Sequence, residues 1–153
     1  MRCWRITSKK RSATAFDGEG ARRVGGRWNS VGVPAVYVSE HLSTAALEIL
    51  VHADPSDLVA AFVSIEIELP DDLLQRAPLE TLPPDWRDTP APVACQTFGD
   101  AWLQGGASLG LVVPSSVIPE SLHIIINPRH MTMTAMKELR RMPFTFDPRL
   151  YGG

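Results

Sequence analysis

Residues 25–52 read GGRWNSVGVPAVYVSEHLSTAALEILVH, and the predicted fold and site both depend on this stretch. Residues 35–39 alternate valine with small and aromatic residues, which predicts a β-strand. Residues 42–52 place apolar side chains at the i, i+3, i+4 spacing of a helix, which Ser43 is suited to cap. The segment therefore predicts a strand followed directly by a helix, typical of a mixed α and β protein.

Three side chains of different chemistry lie within this stretch, namely Arg27, Tyr37 and Glu48. A guanidinium suits phosphate oxygens, an aromatic face suits a flat base, and a carboxylate suits a sugar hydroxyl or a developing positive charge. We expect a dinucleotide site that acts on an N-glycosidic bond. The residues alone also allow a loop arginine paired with an acid, a tyrosine that packs across strands, and a solvated pair of Glu48 with His52.

Composition limits the classes of protein to which the chain can belong. Its 153 residues favour one domain, spanning 1–153, and its net charge of −2 and pI near 6.1 argue against direct nucleic-acid binding through a broad basic field. The start is too polar for a signal peptide, and no apolar run approaches the roughly 20 residues that span a bilayer. Cys3 and Cys95 are expected to be free thiols, so we predict a cytoplasmic protein without membrane contact.

The rest of the chain mixes strands and helices without regular alternation. Strands are predicted at 2–7 (at a sheet edge), 58–69, 109–114 and 122–127, helices at 71–76 and 93–103, and loops at 9–23 and 76–92. The tail is ambiguous, since 136–141 favours helix by propensity and 144–146 favours strand. This order predicts an α+β fold with mixed or antiparallel sheets and flanking helices.

Three further residues are candidates for binding. Trp28 is suited either to packing on adenine or ribose or to holding its loop in place. Ser115 ends a predicted strand, where it either forms a turn or anchors a ribose or phosphate. Asn127 ends the next strand, and we expect it close to Ser115 in a hairpin. The four histidines lack zinc spacing, so no metal is expected, and neither a Gly-x-Ser-x-Gly elbow nor a Walker loop is present.

The chain resembles the RES-domain toxins, a family named for an arginine, a glutamate and a serine. Those letters correspond to Arg27, Glu48 and Ser115, although Ser116 follows directly. The fragments that carry the resemblance cover nearly the whole chain: Gly26-Arg27-Trp28-Asn29, Ala35-Val36-Tyr37-Val38-Ser39, Ala46-Leu47-Glu48, Val113-Pro114-Ser115, Asn127-Pro128-Arg129-His130 and Phe146-Asp147-Pro148-Arg149-Leu150.

The resemblance implies a fold similar to the ADP-ribosyltransferases of the diphtheria-toxin type and an enzyme that uses NAD+ as substrate. Arg27 would orient the pyrophosphate, Tyr37 would stack on nicotinamide, Glu48 would stabilise the ribosyl cation, and Ser115 would help seat the ribose. It also implies an antitoxin of the Xre helix-turn-helix type that blocks the site. Three outcomes stay open: degradation of NAD+ with growth arrest, ADP-ribosylation of a cellular protein acceptor, and non-catalytic binding of a nucleotide.

Overall fold

The computed structural model describes residues 1–152, and within them seven strands form one sheet. The sheet order is β4-β5-β6-β2-β1-β3-β7. The strands are β1 Arg2–Ser8, β2 Val36–Ser39, β3 Phe62–Glu68, β4 Leu74–Arg76, β5 Gly110–Pro114, β6 Leu122–Ile126 and β7 Lys137–Phe144. The helices are α1 Glu19–Val24, α2 Leu42–Leu50 and α3 Val93–Gly105, and short 3-10 turns connect several elements.

Strand directions make the sheet mixed. β4 runs parallel to β5, whereas every other neighbouring pair is antiparallel. Within the described part of the chain three α-helices accompany this sheet, so the predicted α+β class with a mixed sheet is confirmed.

The sheet has a seam between β1 and β2. The two strands share a single pair, Trp4 with Ser39, whereas β1 pairs with β3 along its whole length. The seam leaves the main-chain carbonyl of Tyr37 free to accept a hydrogen bond from the Arg5 guanidinium at 2.8 Å. The two halves of the sheet therefore diverge beside the strand that carries Tyr37.

Side chains alternate across the strands and give the sheet two different faces. One, here called the apolar face, buries Val36, Val38, Val112, Ile124 and Ile126 in one aliphatic cluster. The other, here called the site face, carries Tyr37, Ser39, Val113, His123 and Ile125. Helix α3 packs on the site face through Cys95 and Leu103, and Glu48 of α2 reaches His123 there. The strand predicted at 58–69 begins only at Phe62, because residues 58–60 form a turn. Its inward-facing residues Val63, Ile65 and Ile67 are buried, as is Leu69 directly after it.

Several predicted elements are wrong. Strand β1 lies inside the sheet and not at its edge, because β2 and β3 flank it. Residues 9–23 contain a 3-10 turn and most of α1, not an irregular loop. Helix α2 begins at Leu42 with His41 as the N-terminal cap residue, so Ser43 lies inside the helix.

A predicted helix and the ambiguous tail both contain strands. The helix expected at 71–76 ends after one 3-10 turn, and Leu74–Arg76 pairs with β5. The tail forms β7, because hydrogen bonding to β3 outweighs the helix propensity of residues 136–141. In contrast, the hairpin of β5 and β6 and the helix ending near Gly105 and Gly106 lie where they were predicted.

Among residues 1–152, no helix combines the length and the apolar character that crossing a bilayer requires.

Candidate active site

Glu48 is the centre of a polar cluster on the site face. It points from α2 toward the beginning of β6 and the end of β5. Its Oε1 lies 2.7 Å from His123 Nε2 and accepts a hydrogen bond from the Ser115 hydroxyl at 3.0 Å. Its Oε2 lies 4.0 Å from His52 Nε2, which is beyond hydrogen-bonding distance. One oxygen is thus held by the protein while the side chain keeps 26% of its surface exposed.

The surroundings of Glu48 keep it ionised. Burial alone would raise the pKa of this carboxyl, but the hydrogen bond and the charge of His123 lower it, and Ser115 and His52 lower it further. The net effect is a pKa below the usual range for glutamate. A partly exposed carboxylate that carries a full negative charge at neutral pH is suited to stabilising a developing positive charge.

Ser115 is fully buried and has three hydrogen bonds. Its hydroxyl accepts from the main-chain N–H groups of Val117 and Ile118, both at 3.1 Å, and donates to Glu48. The turn-forming interpretation therefore describes the serine, and the contact with Glu48 adds a second role. Of the two adjacent serines, Ser115 contacts Glu48, while the carbonyl of Ser116 accepts a hydrogen bond from Arg87 Nε at 3.1 Å.

Tyr37 projects from β2 onto the site face, and its hydroxyl both accepts and donates a hydrogen bond. It accepts from the Trp28 N–H at 3.0 Å and donates to Asn29 Oδ1 at 2.7 Å. Burial raises the pKa of this phenol well above its ordinary value. A Cβ on Gly26 would lie 2.8 Å from the Tyr37 hydroxyl, so the glycine is needed for this contact. The glycine-containing loop is thereby fixed against the tyrosine.

Asn29 organises the same loop. Its amide nitrogen donates to the carbonyls of Ala21 and Val33, both at 2.9 Å, and its oxygen accepts from Tyr37. The residue is completely buried, so all of these bonds are shielded from water. Sequence reasoning gave Asn29 no role, although an asparagine after an apolar tryptophan in a glycine-rich turn is a typical loop anchor.

Arg27 holds the proline-rich loop. Its guanidinium donates to the carbonyls of Trp86 and Asp88 at 2.7 and 2.8 Å. Arg87, between those two residues, donates in turn to the turn after Ser115. The loop therefore runs from Arg27 to the Ser115 end of the site. The alternative of a loop arginine paired with an acid does not describe Arg27, because its partners are two main-chain oxygens.

The register of the strands places Tyr37 on the same face as the side chains that contact Glu48. Tyr37 and Ser39 are two positions apart on β2 and therefore point the same way. Ser39 lies opposite His123, whose ring contacts Glu48. Trp28, next to Arg27, packs in the cluster that also contains Ile125 and Val113 of the same face. Tyr37 from β2 and Glu48, through His123, thus meet the same face of the sheet, and Arg27 precedes the Trp28 whose N–H donates to Tyr37.

Of the two roles expected for Trp28, the structure shows the one that holds the loop in place. Its side chain is 3% exposed and meets Phe98 of α3 edge to face, with ring centroids 5.8 Å apart. Gly99 makes this packing close, since a Cβ there would lie 1.8 Å from the Trp28 carbonyl oxygen. The indole is therefore a core residue that fixes the loop beside Arg27.

The expected closeness of Asn127 to Ser115 is wrong. In the β5–β6 hairpin Pro114 pairs with Leu122, whereas Asn127 follows the opposite end of β6. The two residues are separated by the length of the strand, roughly 15 Å. Asn127 donates to the Leu103 carbonyl and accepts from the Arg129 N–H, so it closes α3 and a turn.

Three polar residues near the site were not predicted. The His123 ring contacts Glu48 with one nitrogen and Ser39 with the other. Only the pairing of Ser39 with His123 on neighbouring strands could have indicated this contact. Arg5 fills the seam, where burial lowers the pKa of its guanidinium, and its buried Nε has no hydrogen-bond partner among residues 1–152. A lone arginine in the otherwise uncharged middle of β1 was the available signal.

No group of residues in the described chain could hold a metal ion. Two surface depressions of about 460 Å³ each lie elsewhere: one includes Asn127 and His130, and the other includes Pro78 and Trp102. Neither is lined by Arg27, Tyr37 or Glu48. The polar cluster around Glu48, and not the volume of a cavity, therefore identifies the candidate site.

Comparison with known proteins identifies the family. The model of the RES domain matches residues 2–147. The chain belongs to the RES family. The expected membership is thus confirmed over almost the entire chain.

Known toxins match this chain over most of their own length. Toxin Res of Yersinia enterocolitica is 36% identical over 151 residues, which cover 98% of this chain and 99% of that protein. The Prs ADP-ribosylating toxin of Sphingobium sp. is 37% identical over 152 residues, covering 96% and 94%. A chain in the crystal structure of the M. tuberculosis MbcT–MbcA toxin–antitoxin complex superposes with a TM-score of 0.75 and 26% identity, covering 99% and 86%.

Proposed function

We propose that this RES protein is the toxin of a toxin–antitoxin pair and that it cleaves the nicotinamide–ribose bond of NAD+. The observation that carries the proposal is the ionised Glu48, whose Oε1 is held by Ser115 and His123 and whose side chain is 26% exposed. The names of its relatives, which include an ADP-ribosylating toxin, agree with this chemistry.

The reaction needs a fixed negative charge beside the ribose. When the glycosidic bond breaks, its electron pair moves to the pyridinium nitrogen and neutral nicotinamide leaves. The remaining ribosyl group carries oxocarbenium-like charge, which the Glu48 carboxylate would stabilise. Water then adds to the anomeric carbon and loses a proton, which gives ADP-ribose.

Tyr37 and Arg27 would hold the two ends of the substrate. The Tyr37 ring is fixed on the site face by the hydrogen bonds of its hydroxyl, so it offers a rigid plane for nicotinamide. Arg27, in the loop whose Trp28 N–H donates to Tyr37, would exchange its loop carbonyls for pyrophosphate oxygens, which are stronger acceptors. Binding of NAD+ would then release the proline-rich loop.

A second candidate function is transfer of ADP-ribose to a protein. It is favoured by the 37% identity to the toxin named for ADP-ribosylation. The same Glu48 chemistry applies, with a nucleophilic side chain in place of water.

Incubation of purified, antitoxin-free protein with NAD+ labelled in its adenylate part tests the proposal. We expect free nicotinamide and soluble labelled ADP-ribose, and growth arrest with falling NAD+ in cells. Label that stays on a protein band supports the second function, and intact NAD+ supports a non-catalytic binding module and contradicts both.

Glu48→Gln is the decisive variant. The amide oxygen still accepts from Ser115 and His123, so the fold is kept while the charge is lost. We expect kcat/KM to fall roughly 100-fold or more, with an unchanged unfolding midpoint. Glu120→Gln, at an exposed acid of the β5–β6 connection, is the control and should act like the original protein.

We further propose an antitoxin partner with a helix-turn-helix part that covers this face. Co-expression of the gene pair should restore growth, and the purified complex should leave NAD+ intact. An active complex would contradict blocking of the site.

A further inference from the structure

A line of three polar side chains ends at the Oε1 atom of Glu48. Ser39 Oγ lies 2.9 Å from His123 Nδ1, and His123 Nε2 lies 2.7 Å from Glu48 Oε1. Ser39 and His123 are paired residues of β2 and β6, so the sheet itself fixes their separation. Their placement is therefore more rigid than that of a loop contact.

The chemistry of the two ends sets the direction of the hydrogen bonds. Glu48 is ionised and only accepts, so Nε2 of His123 must carry a proton. In the neutral ring Nδ1 is then an acceptor, and the Ser39 hydroxyl donates to it. Ser115 behaves similarly, because its oxygen already accepts from two main-chain N–H groups and its hydrogen is directed to Oε1. Two donors, one from β6 and one from the turn after β5, thus converge on one oxygen.

The other oxygen of Glu48 is left without such a donor. Among residues 1–152, His52 is the group that approaches Oε2, and it stops at 4.0 Å with its own side chain 75% exposed. The carboxylate is therefore asymmetric: Oε1 is fixed by the protein and Oε2 is available to a ligand.

We propose that His123, kept in its Nε2-protonated form by Ser39, is the positioning residue that fixes Glu48 so that Oε2 meets the reacting ribose. The catalytic part of this inference rests on the proposed function. His123 is 13% exposed and Ser39 is 3% exposed, so water does not readily replace either contact. Loss of the ring would free the Glu48 side chain to rotate.

Activity measurements separate positioning from a purely structural role. His123→Ala should lower kcat about 10- to 100-fold with little change in KM, because the carboxylate is misplaced and not removed. The titratable groups that act on Glu48 are His123 from β6 and His52 from α2. Removing His123 raises the Glu48 pKa, so the acidic limb of the kcat profile should move to higher pH.

Conservative and control variants complete the test. His123→Gln can donate from its amide to Glu48 and should recover part of kcat and return the acidic limb. Ser39→Ala should lower kcat severalfold. His41→Ala, at an exposed histidine beside α2, should change neither. If His123→Ala is folded by its unfolding midpoint and keeps the original kcat and acidic limb, the inference is wrong.

Nitrogen-15 NMR of the histidine rings tests the same inference without any substrate. We expect the signals of His123 to show a protonated Nε2 and an unprotonated Nδ1, and Ser39→Ala to shift the ring toward a tautomer mixture. A ring protonated on Nδ1, alone or together with Nε2, overturns the inference, because Ser39 then accepts from the ring and does not set its tautomer. If the original protein leaves NAD+ intact while the ring has the expected tautomer, the proposed function fails and the positioning of Glu48 stands.

Discussion

The two faces of the sheet differ in what their buried residues do. On β6, Ile124 and Ile126 are sealed in the aliphatic cluster of the apolar face, whereas His123 and Ile125 point to the site face. Neighbouring residues of β6 therefore lie in two environments. The apolar face holds packed apolar side chains, whereas the site face also holds hydrogen-bonded polar side chains. The difference teaches that a function can be carried by one face while the other supplies stability.

Two adjacent isoleucines offer the strongest test of that division. Ile124 and Ile125 are both completely buried, on opposite faces. We expect Ile→Ala at either position to lower the free energy of unfolding by about 2–5 kcal/mol, measured by urea denaturation. Ile124→Ala should keep kcat/KM per folded molecule. Ile125→Ala should also lower kcat/KM, because Ile125 pairs with Tyr37. Equal loss of activity in both variants would contradict the division.

A pair of glycines in α3 tests how tightly the site face is packed. A Cβ on Gly99 would lie 1.8 Å from the Trp28 carbonyl oxygen, whereas one on Gly105 meets no atom within 4 Å. Gly99→Ala should cost about 3 kcal/mol of stability and displace the loop that carries Arg27. Gly105→Ala should change stability by less than about 1 kcal/mol. Thermal unfolding measures both, and similar midpoints would show that α3 can shift to relieve the contact.

Much of the sheet was predictable because alternation of apolar residues reports burial directly. Residues 63–69 and the β5–β6 hairpin follow this rule. The tail did not, since Lys137–Phe144 is almost entirely exposed and lacks a buried face to impose alternation. Pairing with β3 decided its conformation, and such a long-range contact leaves no mark in local propensity.

The site was predictable where chemistry is local and not where it depends on register. Glu48 stands out as a charge in an apolar helix. His123 and Ser39 are separated by 84 positions and meet only because β2 pairs with β6. Asn127 was misplaced for a related reason: neighbouring strands were assumed to end together, whereas antiparallel strands end at opposite edges.

The proline-rich loop is attached to the rest of the protein through Arg27. Arg27→Met keeps the length of the stem and removes both hydrogen bonds to the proline-rich loop. We expect the free energy of unfolding to fall by about 1 kcal/mol and amide hydrogen exchange to become faster in residues 83–92. Arg23→Met, at an exposed arginine of α1, is the control. Unchanged exchange in the Arg27 variant would mean that other contacts hold the loop.

At neutral pH the smallest expected effect comes from the two thiols, one buried on each side of the sheet, because both are protonated there in the folded and unfolded states. Burial raises the pKa of Cys3, on the apolar face, from 9.0 to about 12, and it also raises the pKa of Cys95, on the site face. A raised folded-state pKa means that the stabilising effect is complete below about pH 9 and is lost as pH rises toward 12. Stability should therefore fall across this window, and Cys3→Ala should flatten the fall more than Cys95→Ala. Denaturation midpoints at pH 8 and in the alkaline window measure this. If stability falls with pH equally steeply in both variants, the two faces shield their thiols equally.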